Sequence, residues 1–195
     1  MQTADKNTFS TRWLITEAFM KLLAVRSFNK MTVSAIVRKA GISRSTFYLH
    51  FQDIIDLLDQ MTSQIFNELV ELYRIDWNDA FFASSFRESF DNQCPLPGTV
   101  KLIEHFRNYE HFYRDRFHDS SFVIRLSELL CTRLQLIYQD ETIAVFLAYG
   151  TVGFIGRWLN EGLKGSSSEV ALRLTNMALL SLPQVQREIK TSPDL

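Results

Sequence analysis

The sequence predicts an all-α chain, with a head of three short helices followed by a larger helical body. Three observations carry that expectation. The 195 residues include only 7 Gly and 4 Pro, too few for the many tight turns of an all-β fold. Apolar residues recur at spacings of three and four along most of the chain. The stretch TVSAIVRKAGISRSTFYLHF, Thr32 to Phe51, sets two short apolar runs around a lone Gly, as two short helices joined by a tight turn would. Hydrophobic and aromatic contents of 46% and 13% supply a buried core and exclude disorder as the main state.

Each element has its own signal. Between Thr11 and Val25, the residues Leu14, Ala18, Leu22 and Val25 share one helix face, and SFNKM interrupts it. Thr32 is a helix N-cap, followed by Val33, Ile36, Val37 and Ala40 on one face. Gly41 stops that helix because it is free to take positive φ. Ser43 caps the next helix, expected to run to His50, with Ile42, Phe47 and Phe51 pointing inward. Asp53 caps a longer helix that begins at Ile54, with Ile54, Leu57, Leu58, Met61, Ile65, Leu69 and Leu72 along it. The loop DNQCPLPG, Asp91 to Gly98, breaks the chain; DWNDAFFASSFRESF before it is ambiguous. Beyond it, 99–117 and 121–138 read as amphipathic helices, 141–163 as a more apolar one and 166–182 as the last. The tail TSPDL is expected to fray. The functional division falls at 1–53 and 54–195.

Charge is unevenly placed. Residues 1–51 hold eight Lys or Arg against Asp5 and Glu17, a net +6, which leaves −7 for the rest of a chain whose total is −1. A basic head suits a polyanionic partner. Cys94 and Cys131 stand apart without a pairing pattern and read as reduced thiols. No signal-peptide pattern and no membrane-length apolar run appear, so no membrane partner and a cytoplasmic location are expected.

A helix from Ser43 to His50 would rise about 12 Å, the width of a B-DNA major groove, about 12 Å. With Ile42, Phe47 and Phe51 inward, Arg44, Ser45, Tyr48 and Leu49 face outward. A surface helix without a partner would favour Glu, Lys and Ala over Ser, Thr and Tyr. Arg44 suits a guanine edge and Leu49 a thymine methyl. Thr32, Thr46, Tyr48 and His50 suit phosphate oxygens. Double-stranded DNA is therefore the expected partner.

TVSAIVRKAGISRSTFYLHF resembles the DNA-binding motif of the TetR family of bacterial transcriptional regulators, with its Thr-Val, apolar pair, Ala-Gly-Ile-Ser and Tyr-x-His-Phe. The resemblance covers about the first 60 residues. It implies an all-helical homodimer, with three N-terminal helices on operator DNA and a C-terminal ligand-binding and dimerisation domain. By position it places Thr32, Ser43, Thr46, Tyr48 and His50 on phosphates and Arg44 and Ser45 on bases. It implies a repressor modulated by an effector. The sequence departs from the family at Ile54, where a Lys is usual. The C-terminal run GFIGRWLNEGL…SSSEVALRL is similar to the branch related to the dihydroxyacetone-kinase regulator DhaS, which implies the alternative of an activator or adaptor whose effector is a protein rather than a small molecule.

In the body, Gly150, Gly153 and Gly156 recur at spacings of three, and small residues let a second backbone approach. The family packs its last two helices against those of the partner, so 141–162 and 168–181, with Gly150, Gly153, Phe154 and Trp158, form the expected dimer interface. His105, Tyr109, Phe112 and Tyr113 are candidate ligand-pocket residues. The spacings of His105, His111 and His118 lack the i, i+4 pair of a helical metal site. No P-loop, GxGxxG, GxSxG or HExxH is present, so neither catalysis nor a metal or other cofactor is expected.

Overall fold

The computed structural model describes residues 3–72, 88–89 and 92–180. The ambiguous stretch Asp76–Phe90, apart from Glu88 and Ser89, and the tail Thr191–Leu195 lie outside them. The fold is all-α. Among the described residues the helices are α1 (Thr3–Leu23), α2 (Val33–Ala40), α3 (Arg44–Tyr48), α4 (Ile54–Leu72), α5 (Pro97–Asn108), α6 (Glu110–Arg116), α7 (Ser120–Tyr138), α8 (Glu141–Asn160) and α9 (Ser167–Leu180). A 3₁₀ turn, Phe28–Lys30, separates α1 from α2.

The chain divides into two compact units, Met1–Asn67 with His111–Asp115, and Glu68–Glu110 with Arg116–Leu195. In the first, α1 packs on α2 and α2 on α3. The buried face of α1 is Ile15, Ala18, Phe19, Leu22 and Leu23. The face expected from spacing, through Leu14 and Val25, is rotated from this one: α1 ends at Leu23 and Val25 is 75% exposed. Thr32 Oγ1 accepts from the Ala35 N–H at 3.2 Å, capping α2. Gly41 closes α2 at φ +70, and a Cβ there would meet nothing, so backbone conformation alone favours Gly. Asp53 Oδ1 accepts from the Ile55 and Asp56 N–H groups and opens α4. The Asp115 carboxylate of α6 accepts from the Phe28 N–H at 2.9 Å, and Phe112 and Tyr113 are fully buried. Segment 111–115 thus builds the same core as the head helices.

In the second unit α7 packs on α8 and α9 on α5. Pro97 takes the first position of α5, where its missing N–H costs nothing, so the Pro-Gly pair opens a helix rather than breaking one. Residues 99–117 form two helices, not one. The break falls at Tyr109, which carries no Gly or Pro signal; its hydroxyl donates to Glu68 Oε2 of α4 at 2.5 Å. Asp119 caps α7 and Asp140 caps α8. Ser166 and Glu169 form a reciprocal capping box at α9, Glu169 Oε2 accepting from the Ser166 N–H and Ser166 Oγ from the Glu169 N–H. By length and composition α8 is apolar enough to cross a membrane. One side of it nonetheless belongs to the core through Ala144, Leu147, Ala148, Val152, Ile155 and Leu159.

Candidate nucleic-acid interface

Phe47 and Phe51 fix how α3 is presented. Both are buried, with ring centroids 5.7 Å apart. The Arg12 guanidinium lies 4.9 Å over the Phe51 ring and donates to Gln60, which donates to Asp56 Oδ1 at 2.7 Å. The bonds from Gln60 and from the Gln52 N–H hold the Asp56 carboxyl below its usual range. This clasp ties α1 to Phe51, just beyond α3, and to α4.

What α3 presents is polar with apolar insets. Arg44 and Ser45 are exposed, Tyr48 is 55% exposed and Leu49 82%. Tyr48 stands edge-on to Phe47 at 5.5 Å, which steadies its ring while leaving its outer face open. Ser43 Oγ accepts from the Thr46 N–H at 3.0 Å and lies 2.7 Å from both Ser45 Oγ and Thr46 Oγ1. Thr32 is exposed beside α2, and His50 is half-buried. The regular helix is shorter than the expected Ser43–His50: Leu49 and His50 lie in a turn whose N–H groups bond back to Ser45 and Phe47 carbonyls. The outward set is unchanged, because the turn keeps a helical hand. Ile54, where a Lys was expected, opens α4 half-buried. The sequence reading missed Ser34. It is exposed on the first turn of α2, and its Oγ accepts a hydrogen bond from Arg44 Nη2. Its place two residues after the Thr32 cap was the available signal.

The other candidate residues separate. His105 and Tyr109 belong to the second unit, and Phe112 and Tyr113 to the core of the first. Burial pushes the His105 imidazole down to about 4, against the opposing pull of Glu68. Burial and the bond to Glu68 push the Tyr109 phenol up. The two rings lie 5.1 Å apart. In α8, Gly150 and Gly153 are exposed with nothing within 4 Å of a would-be Cβ, whereas one on Gly156 would lie 2.7 Å from Phe117 Cδ1. The three glycines therefore do not share a face. Phe154 is half-buried. Trp158 is 5% exposed; its indole N–H donates to the Lys164 carbonyl, and Arg107 lies 5.2 Å over its ring. These partners lie in the same chain, so Trp158 anchors the α8–α9 turn rather than offering an outer surface.

The family model for bacterial regulatory proteins of the tetR family matches residues 15–61. A second, for a transcriptional regulator C-terminal region, matches residues 93–179. The chain belongs to the TetR family. Among solved structures, the dihydroxyacetone kinase operon activator DhaS is 21% identical with a TM-score of 0.63, covering 91% of this chain and 97% of that one. A TetR regulator from Streptococcus agalactiae is also 21% identical, with a TM-score of 0.60 over 90% and 97%. FadR from Bacillus subtilis, solved with stearoyl-CoA, is 16% identical with a TM-score of 0.55 over 88% and 97%. At these identities the likeness extends to fold. As a TetR-family member the chain is a DNA-binding transcriptional regulator and not an enzyme.

Proposed function

We propose that this regulator is a repressor that binds a twofold operator as a homodimer and releases it when an effector binds the body. In this reading residues 1–53 are the DNA-binding domain and 54–195 the ligand-binding and dimerisation domain. The exposed Arg44, Ser45 and Tyr48 of α3 and Leu49 of the turn after it, seated by buried Phe47 and Phe51, carry the proposal. Arg44 and Ser45 read base edges, Leu49 meets a thymine methyl, and Thr32, Ser43, Thr46, Tyr48 and His50 hold the backbone.

A dimer supplies the second reading head. Its face is the open side of α8, where Val145, Phe146, Tyr149, Gly150 and Gly153 are exposed together, with Phe154 at its margin. An apolar helix side of this kind, flanked by polar residues, calls for a protein neighbour. The effector is a small molecule or a protein partner, and it releases DNA by favouring the state in which the two heads are wrongly spaced.

The test selects duplexes from a random 30-bp pool and measures binding by anisotropy. Arg44→Ala and Tyr48→Ala should each weaken binding with helicity kept, and Arg44→Ala should relax one base position by about 1–3 kcal/mol. Parent-like binding by both variants refutes the interface.

A further inference from the structure

We propose that Ser34 is a positioning residue for operator reading, aiming Arg44 at its base from the neighbouring helix; this rests on the reading of Arg44 given above. An exposed Arg side chain samples many rotamers and loses that freedom on reaching a guanine edge. Here the freedom is already restricted. Ser34 Oγ, on the first turn of α2, accepts from Arg44 Nη2, on the first turn of α3. Both helix starts are fixed by hydroxyl caps, Thr32 on Ala35 and Ser43 on Thr46, so the acceptor and the donor's Cα sit on rigid supports. α2 and α3 also pack on one another, and Ala35 and Ile36 of α2 and Phe47 of α3 are buried.

The chemistry of the partner matters. A guanidinium has five N–H donors, so one bond to a hydroxyl leaves four, enough for a bidentate contact with guanine N7 and O6. A carboxylate in the place of Ser34 would hold Arg44 more tightly but would cancel its charge and repel phosphates. Neither α2, VSAIVRKA, nor α3, RSTFY, contains an Asp or Glu. A serine thus orders the reader without neutralising it. Having spent an acceptor lone pair, its hydroxyl keeps its proton for a phosphate or base oxygen.

The experiment takes the duplex that the full-length parent selects from a random 30-bp pool, together with every single-base variant of it. Ser34→Ala should cut discrimination at the base pair where Arg44→Ala acts, by about 3- to 10-fold, and leave the salt slope unchanged. Ser34→Thr, which keeps the hydroxyl, should restore it. In an Arg44→Ala background Ser34→Ala should add nothing at that base pair. Full discrimination in Ser34→Ala, or the same loss with and without Arg44, overturns the positioning role. Failure of Arg44→Ala to relax any base position overturns instead the interface on which it rests, so the two failures are told apart.

Discussion

Gly153 and Gly156 lie three residues apart in α8, yet the structure gives them opposite surroundings, and that contrast tests both packing and assembly. A Cβ on Gly156 would sit 2.7 and 2.8 Å from the Phe117 ring, closer than side chains pack. Replacing a helical Gly by Ala gains about 1 kcal/mol of helix propensity. Overpacking a core costs about 1–3 kcal/mol. Gly156→Ala should therefore lose up to about 2 kcal/mol on balance, a fall of a few degrees in Tm for a chain of this size. A Cβ on Gly153 meets nothing within 4 Å, so Gly153→Leu should leave the protomer helical. In the proposed dimer the same leucine pushes two helices apart. Dimerisation and affinity for the selected duplex should then fall together, as read by sedimentation at micromolar concentration beside a binding titration. A raised Tm in Gly156→Ala would show that Phe117 does not fill that space. A Gly153→Leu protein that sediments as a dimer and binds normally would place the interface elsewhere.

Two further expectations follow from single residues. His105 is held neutral in the fold, titrating at about 4 rather than 6.5, so the unfolded chain takes up a proton first as pH falls. The stability this represents is present in full above pH 6.5 and is lost as pH drops towards 4, with an upper limit of order 3 kcal/mol. Urea unfolding across that window should show a flatter pH dependence in His105→Gln; an identical slope would exclude the imidazole as its source. Ile54→Lys should tighten duplex binding without changing base preference and steepen the salt dependence by about one phosphate per chain. An unchanged salt slope would show that the start of α4 lies away from the DNA backbone.

The head was legible because its signals are local. Thr32, Gly41, Ser43 and Asp53 each act on backbone groups within three or four residues, so their capping and turn roles can be read from spacing. Phe47 and Phe51, four apart, declare their buried side in the same way. Where the reading slipped, the deciding contact was distant in sequence. The rotation of the α1 face follows from what α1 packs against, and the break at Tyr109 falls where that hydroxyl meets Glu68, 41 residues away. The sequence offers no Gly or Pro at that place to announce it.

The sequence by itself determined the all-α class, the helix-turn-helix and the residues of α3 that face outward, since helix period and capping depend on near neighbours alone. Only the tertiary structure decided that His111–Asp115 joins the core of the head, where Asp115 receives the Phe28 N–H from 87 residues away. It alone separated Gly156, closed by Phe117, from Gly150 and Gly153, which are open. It alone put Ser34 under the guanidinium of Arg44. A lone Gly or Ser carries the same local signal wherever it stands; which side chain reaches it is fixed by the packing of separate helices.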